Sequence, residues 1–161
     1  MISLIYARSL NHCIGDKGRV PWHLPGDHSH FINTTFGKPI IMGRRTYEDH
    51  KSVFPGRLNI VVSTQRDYQT VAGIELLHSL VDAIDLANKN NNEVFVIGGV
   101  SLFTAALSTA STVYETVVDT ELAGDTVLPK FDFGDWSTEL LQDHLIDSHH
   151  DFAFKIYRHR R

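Results

Sequence analysis

Only one cysteine, Cys13, occurs in 161 residues. No intrachain disulfide can form and nothing supports an oxidising compartment, so the cytoplasm is the expected location. A surplus of positive charge is missing too: 15 Lys and Arg against 19 Asp and Glu give a formal charge of −4, which supplies no basic field for nucleic acid. Long apolar runs are absent. Arg8 interrupts the opening MISLIYARSLN too early for a signal peptide or a membrane span, so structure is expected to begin at once and no membrane partner is expected. No repeat, linker or low-complexity tract divides residues 1–161, which implies one domain and, by default, a monomer. The G-x-G-x-x-G fingerprint of doubly wound dinucleotide folds is not there. Histidine is plentiful, at ten residues, but no Cys or His pair has zinc spacing. His28 and His30 are two apart on different helix faces, and His149 and His150 are adjacent. No metal is expected, and the histidines read as surface residues, His28 and His50 excepted.

What remains is ordinary for a globular protein that handles a small molecule: 42% apolar and 21% charged residues, in a chain long enough to bury roughly two-thirds of its unfolded surface around one core. Apolar, β-branched runs at 2–7, 39–43, 58–63, 93–99 and 112–119 read as strands. Several are apolar at consecutive positions, as in a sheet covered on both faces. Helices fit at 25–36, closed by Gly37 and Pro39, at 79–89, opened by Ser79, and at 99–108. Beyond residue 110 the pattern turns to strands, with period-two alternation in DFAFKIYRH (151–159). The expected fold is α/β in three layers: a central, mostly parallel mixed sheet with antiparallel C-terminal strands and helices on both faces.

The stretch VPWHLPGD (20–27) places a carboxylate, Asp27, at the start of the first helix. Leu24, Asp27, His28, Phe31 and Thr35 share a helical face. An N-terminal Asp can simply stabilise the helix dipole and its unpaired amides. Here Trp22 and Phe31 make the surroundings apolar, and no basic partner is near in sequence. Such a carboxylate should have a raised pKa and suit a planar cation or an amidine-like ligand edge. In MGRRTYE (42–48) a strand runs into a short helix, offering backbone amides and the Thr46 hydroxyl to phosphate oxygens. VIGGVSLF (96–103) offers a second such place.

VPWHLPGDHSHF, KPIIMGRRTYE, PGRLNIVVSTQ, VFVIGG and GDTVLP occur in the order and spacing of dihydrofolate reductases, which the chain resembles over essentially its whole length. The resemblance implies NADPH and 7,8-dihydrofolate as ligands, hydride transfer from nicotinamide to pterin, and antifolate inhibitors as partners. It also implies roles. Asp27 would grip the pterin edge, Thr116 would support it, and Trp22 would hold a bridging water and wall the site. Ile5, Ala7, Phe31, Phe54 and Ile97 would line the folate pocket with His28 and His50, both expected to face the cleft. Arg57 would pair with the glutamyl α-carboxylate. On the cofactor side the resemblance implies Ala7, Ile14, Gly15 and Val20 near the nicotinamide, and Gly43, Arg44, Arg45 and Thr46 near the phosphates. Ser63, Thr64 and His78 would lie towards the 2′-phosphate end. Gly98 and Gly99, joined by a cis peptide, would be followed by Val100, Ser101, Leu102 and Phe103. The segment 15–22, with Thr126 in GDT (124–126), resembles a loop that closes over nicotinamide.

Three positions depart from the commonest family pattern: Val20 replaces a larger apolar residue, Phe103 an aromatic hydroxyl, and Ser101 a basic phosphate contact. Two alternatives stay open on sequence alone, a same-fold pyrimidine reductase of riboflavin synthesis and a non-catalytic nucleotide-binding module.

Overall fold

The computed structural model describes residues 1–161. In chain order it contains β1 (Ile2–Ser9), β2 (Cys13–Gly15), α1 (Pro25–Thr35), β3 (Ile40–Gly43), α2 (Arg44–His50), β4 (Asn59–Val62), β5 (Ile74–Leu77), α3 (Leu80–Asn90), β6 (Val94–Gly98), α4 (Val100–Leu107), β7 (Thr112–Val118), β8 (Thr126–Val127), β9 (Ser137–His144) and β10 (Phe154–Arg160). Local chemistry sets the helix ends. Pro25 occupies the first turn of α1, where its missing N–H costs nothing, and Gly37 follows the end with φ +77°. Ser79 Oγ accepts the Asp82 N–H at 3.1 Å and caps α3.

Eight strands form one sheet in the order β5-β4-β3-β6-β1-β7-β10-β9. Pairing is parallel from β5 through β7, and β10 then runs antiparallel between β7 and β9. Strands β2 and β8 make a separate antiparallel pair. The α/β class, the mostly parallel sheet and its antiparallel finish are those expected from the sequence.

The consecutive apolar residues serve two faces. Leu4, Ile41, Ile60, Val96 and Val113 turn towards Ala83 and Ala87 of α3 and Phe103 and Ala106 of α4. Ile5, Ile40, Met42, Val61 and Phe95 turn the other way, against Tyr47 of α2, with Phe31 of α1 packed alongside. A strand alternates its side chains, so burial on both sides requires apolar residues at every position.

The observed β10 starts at Phe154, not at 151, because Asp151 is committed elsewhere. Its N–H donates to the His23 carbonyl at 3.1 Å and its Oδ2 accepts the His23 N–H at 2.8 Å. Strand β5 lies outside the runs expected from the sequence; it sits at the sheet edge, where one neighbour suffices and the apolar pattern is weaker.

Central strand β7 carries a buried carboxylate, Glu115, 6% exposed. Its Oε2 accepts from the Tyr6 hydroxyl at 2.8 Å and Arg8 Nε at 3.0 Å, and its Oε1 lies 3.2 Å from His159 Nε2. Desolvation raises its pKa, but the His159 contact, the Arg8 charge and the Tyr6 hydroxyl outweigh it, and the carboxyl falls to about 2. His159 itself is buried and stacks on Phe133 at 3.9 Å between ring centroids. The expectation of surface histidines therefore fails here, because its partners arrive from strands distant in sequence.

Candidate active site

Strands β1, β3, β4 and β6 end side by side, and their connections diverge: the chain leaves β1 for β3 past β6, and leaves β6 for β7 past β1. Ligand clefts form at such points, outside the carboxyl ends of parallel strands. A cleft of about 1800 Å³ opens there, walled by α1, α2, the start of α4 and the 14–24 segment.

Asp27 lies in the first turn of α1 and lines this cleft. The Thr116 hydroxyl, from β7, donates to Asp27 Oδ1 at 2.7 Å. Burial raises the Asp27 pKa, against smaller opposing effects of the Thr116 hydrogen bond and of His28. Leu24 closes the floor behind it, 5% exposed, with Trp22 packed on the same cluster. The local reason is the helical stripe read from sequence, which turns Asp27 and Phe31 to one side. Phe31 meets Phe54 edge to face at 5.4 Å, and His50 lies 4.6 Å from Phe54. With Ile5, Ala7 and Ile97 these rings give the cleft an apolar, aromatic half.

The two expected histidines differ. His50 is half-buried; its Nδ1 lies 3.0 Å from the Thr46 carbonyl, which makes Nδ1 the donor, and its Nε2 is buried without a partner. His28 lines the cleft but is exposed, contrary to the expectation that it turns away from solvent. It sits one position beyond Asp27, at the edge of the stripe, where the first turn meets water.

The polar half is built from strand ends. Helix α2 starts at Gly43 and α4 at Gly99, and neither start has a side-chain cap, so first-turn amides of both are unclaimed by side chains. The Gly98–Gly99 peptide is cis, and Gly98 has φ +149°. A Cβ at Gly98 would lie 2.8 Å from Thr46 Oγ1, so only glycine fits this approach. Arg44 Nη1 donates to Glu48 Oε1 at 3.1 Å, while Arg45 is exposed. Ser63 and Thr64 close this end, with Val100, Ser101, Leu102 and Phe103 along its side. Phe103 is nearly fully buried at 2% and packs edge to face on Tyr6 at 5.3 Å. Ile14, Gly15, Val20 and Thr126 border the junction of the two halves, and Val20 is 60% exposed. The Lys17 N–H donates to Asp125 Oδ2 at 3.0 Å, tying the 15–22 segment to GDT.

Two expected residues lie outside the cleft wall. Arg57 turns to the end of α1, where Nη1 donates to Thr35 Oγ1 at 2.7 Å and to the Ile32 carbonyl at 3.2 Å, and Nε to the Pro55 carbonyl at 2.9 Å. His78 bonds the Ser63 carbonyl through Nδ1 at 2.8 Å and stands behind that residue. The wall also contains residues not expected from sequence: Tyr6, Ser29, His30 and Asp49. His30 is half-buried, its pKa lowered by burial, with Nε2 lacking a partner. Its spacing of three from Asp27, one turn further along α1, was the available signal.

The mouth of α1 is clamped from the C-terminal hairpin. His150 Nε2 accepts the Gly26 N–H at 2.9 Å, beside the two Asp151–His23 bonds. A Cβ at Gly26 would stand 3.0 Å from that nitrogen.

The family model described as "Dihydrofolate reductase" matches residues 1–161. The chain is 39% identical over 153 residues to dihydrofolate reductase type 3 of Salmonella typhimurium, covering 95% of this chain and 93% of that one. It is 36% identical over 159 residues to the dihydrofolate reductase of Bacillus subtilis (strain 168), with 98% and 94% covered. The solved dihydrofolate reductase from Enterococcus faecalis, complexed with NADP(H) and RAB-propyl, superposes with a TM-score of 0.93 at 27% identity, covering 100% of this chain and 96% of that one. The chain belongs to the dihydrofolate reductase family.

Proposed function

We propose that the chain reduces 7,8-dihydrofolate to 5,6,7,8-tetrahydrofolate, a step of one-carbon metabolism, by hydride transfer from NADPH, with Asp27 as the group that holds and polarises the pterin. The observation that carries this reading is the Asp27–Thr116 pair: a carboxylate oriented by one hydroxyl, with raised proton affinity, in the apolar half of the cleft. Asp27 accepts two hydrogen bonds from the pterin amino group and ring nitrogen, which fixes the angle of the ring as well as its position. Its charge favours the protonated pterin, the form that accepts hydride. Trp22 walls the ring and holds a bridging water, and Phe31, Phe54 and His50 flank the benzoyl group. Arg57, at the far end of α1, takes the glutamyl α-carboxylate. Antifolates that copy the pterin edge compete for Asp27.

The polar half fits a dinucleotide. Uncapped starts of α2 and α4 supply amides to phosphates, and the close Gly98–Thr46 approach leaves room for a ligand backbone where a side chain would fill it. Arg44, Arg45, Ser63 and Thr64 suit a 2′-phosphate. When bound, the dinucleotide supplies the hydride; the chain's part is to orient both rings and exclude water, with residues 15–22 closing over them. No helix is long and apolar enough to cross a membrane, and a cytoplasmic monomer belongs to the same reading.

Loss of nicotinamide absorbance on mixing with dihydrofolate and NADPH tests the proposal. Turnover is expected. Cofactor binding without turnover would favour a non-catalytic module, and turnover of a ribosylated aminopyrimidine instead would favour the riboflavin-type reductase.

A further inference from the structure

We propose that His144, Asp147 and His150, on the hairpin between β9 and β10, bind a divalent transition-metal ion, and that the ion releases the Gly26 amide at the start of α1. One potential ligand atom from each residue lies within 4.8 Å of the others. His150 Nδ1 is 2.8 Å from Asp147 Oδ1, and His144 Nε2 is 3.8 Å from Asp147 Oδ2. A tetrahedral shell with bonds of about 2.0–2.2 Å places its donors about 3.3–3.6 Å apart, so closure needs only small movements.

Two features prepare the group. His144 Nδ1 donates to the Leu145 carbonyl at 2.7 Å, so the ring keeps its lone pair on Nε2, the nitrogen that faces Asp147. The same ring stacks on Phe154 at 4.8 Å and 7°, which holds its orientation. Asp147 is anionic at neutral pH, its carboxyl held below the usual range by His150 and the His149 amide. Two imidazoles and one carboxylate suit zinc, nickel or copper and not magnesium or calcium. The loop is exposed, so water completes the shell.

The coupling follows from proton bookkeeping. Without metal, His150 Nε2 accepts from Gly26, so the ring carries its proton on Nδ1, donated to Asp147. An ion on Nδ1 displaces that proton to solvent while Nε2 takes one up from solvent, so the ring stays neutral, with its hydrogen on Nε2 and no net release of protons. Two N–H groups now face each other, and the Gly26 bond breaks. Helix α1 has no side-chain cap of its own, so this bond is the one side-chain acceptor for an amide of its first turn, one residue before Asp27. Metal binding thus loosens the helix that carries the cleft carboxylate.

The test uses the full chain and zinc chloride, in wild type and two variants. His144→Phe keeps a ring over Phe154 and loses a ligand; Asp147→Asn keeps an acceptor for His150 and loses the charge. Zinc affinity is read by competition with a chromophoric chelator, and the Gly26 amide by ¹H–¹⁵N correlation spectra and hydrogen exchange. Each variant should weaken zinc binding by at least about 10-fold, the low end of what is typical when even a group that only orients a metal ligand is lost. In wild type alone, zinc should shift the Gly26 signal and speed its exchange, and magnesium should do neither. Equal affinity in wild type and variants would assign the zinc to other histidines and overturn the site. A Gly26 signal that zinc leaves unmoved would overturn the coupling. Neither readout uses activity, so both outcomes are separate from the test of dihydrofolate reduction.

Discussion

Acid should unfold the protein through Glu115, and the structure sets the size of the effect. In the folded chain this carboxyl is depressed from an ordinary value of 4.5 to about 2, with Arg8, Tyr6 and His159 around it. A group depressed on folding contributes stability above its unfolded pKa and loses it as pH falls towards the folded one. The contribution is therefore complete above about pH 5.5 and is withdrawn between 4.5 and about 2. At about 1.4 kcal/mol per tenfold in proton affinity, that span is worth about 3 kcal/mol, a large fraction of the ~5–15 kcal/mol that holds a domain together. The matched perturbation is Glu115→Gln, which fills the same space without a charge. At pH 7 it leaves Arg8 beside a neutral amide, and a broken buried pair of this kind costs about 3–5 kcal/mol. Urea melts of both proteins at pH 7, 5, 4 and 3.5 provide the assay, with midpoints and slopes read separately. The gap between wild type and variant should be widest at pH 7 and should narrow steadily below pH 4.5. A gap of constant width would refute the reasoning, since the wild-type carboxylate would then not be the group that titrates.

Asp27→Asn should leave the thermal midpoint and NADPH binding nearly unchanged while slowing hydride transfer at neutral pH by about 10²–10⁴-fold; single-turnover rates equal to wild type would refute its assigned role. Gly98→Ala should cost about 1–3 kcal/mol for its backbone conformation alone, and should weaken NADPH binding because the new methyl meets Thr46 Oγ1. Cofactor fluorescence titration together with a thermal melt checks both effects, and unaltered values in the two would contradict the close approach. Arg45→Gln should reduce the preference for NADPH over NADH by about 10- to 150-fold, the equivalent of one charge-assisted bond of ~1.5–3 kcal/mol. The ratio of kcat/KM for the two cofactors measures it, and an unchanged ratio would place the 2′-phosphate elsewhere.

Much of this protein is local and was therefore legible in the sequence. Helix α1 is written in the i, i+3, i+4 spacing of Leu24, Asp27 and Phe31, and the two-sided sheet in runs such as PIIMG, because both patterns depend on neighbours a few residues apart. Asp27 could be singled out in the same way, as a carboxylate in an apolar stripe with no cation nearby. Its partner could not. Thr116 lies 89 residues away, and within VYETVV it reads as an ordinary strand former; β7 beside β1 is what carries it to α1. Glu115 looks like a solvent-facing residue by alternation, yet β7 is covered on both sides, and its stabilising groups come from β1 and β10. The histidines divide along the same line. His28 is exposed although its helical position suggested otherwise, while His159 and His150 are held by groups remote in sequence. Whether a polar side chain is solvated, paired or bound to another element depends on what packs against it. That is decided by the order of the strands and the path of the connecting loops, and no local spacing encodes it.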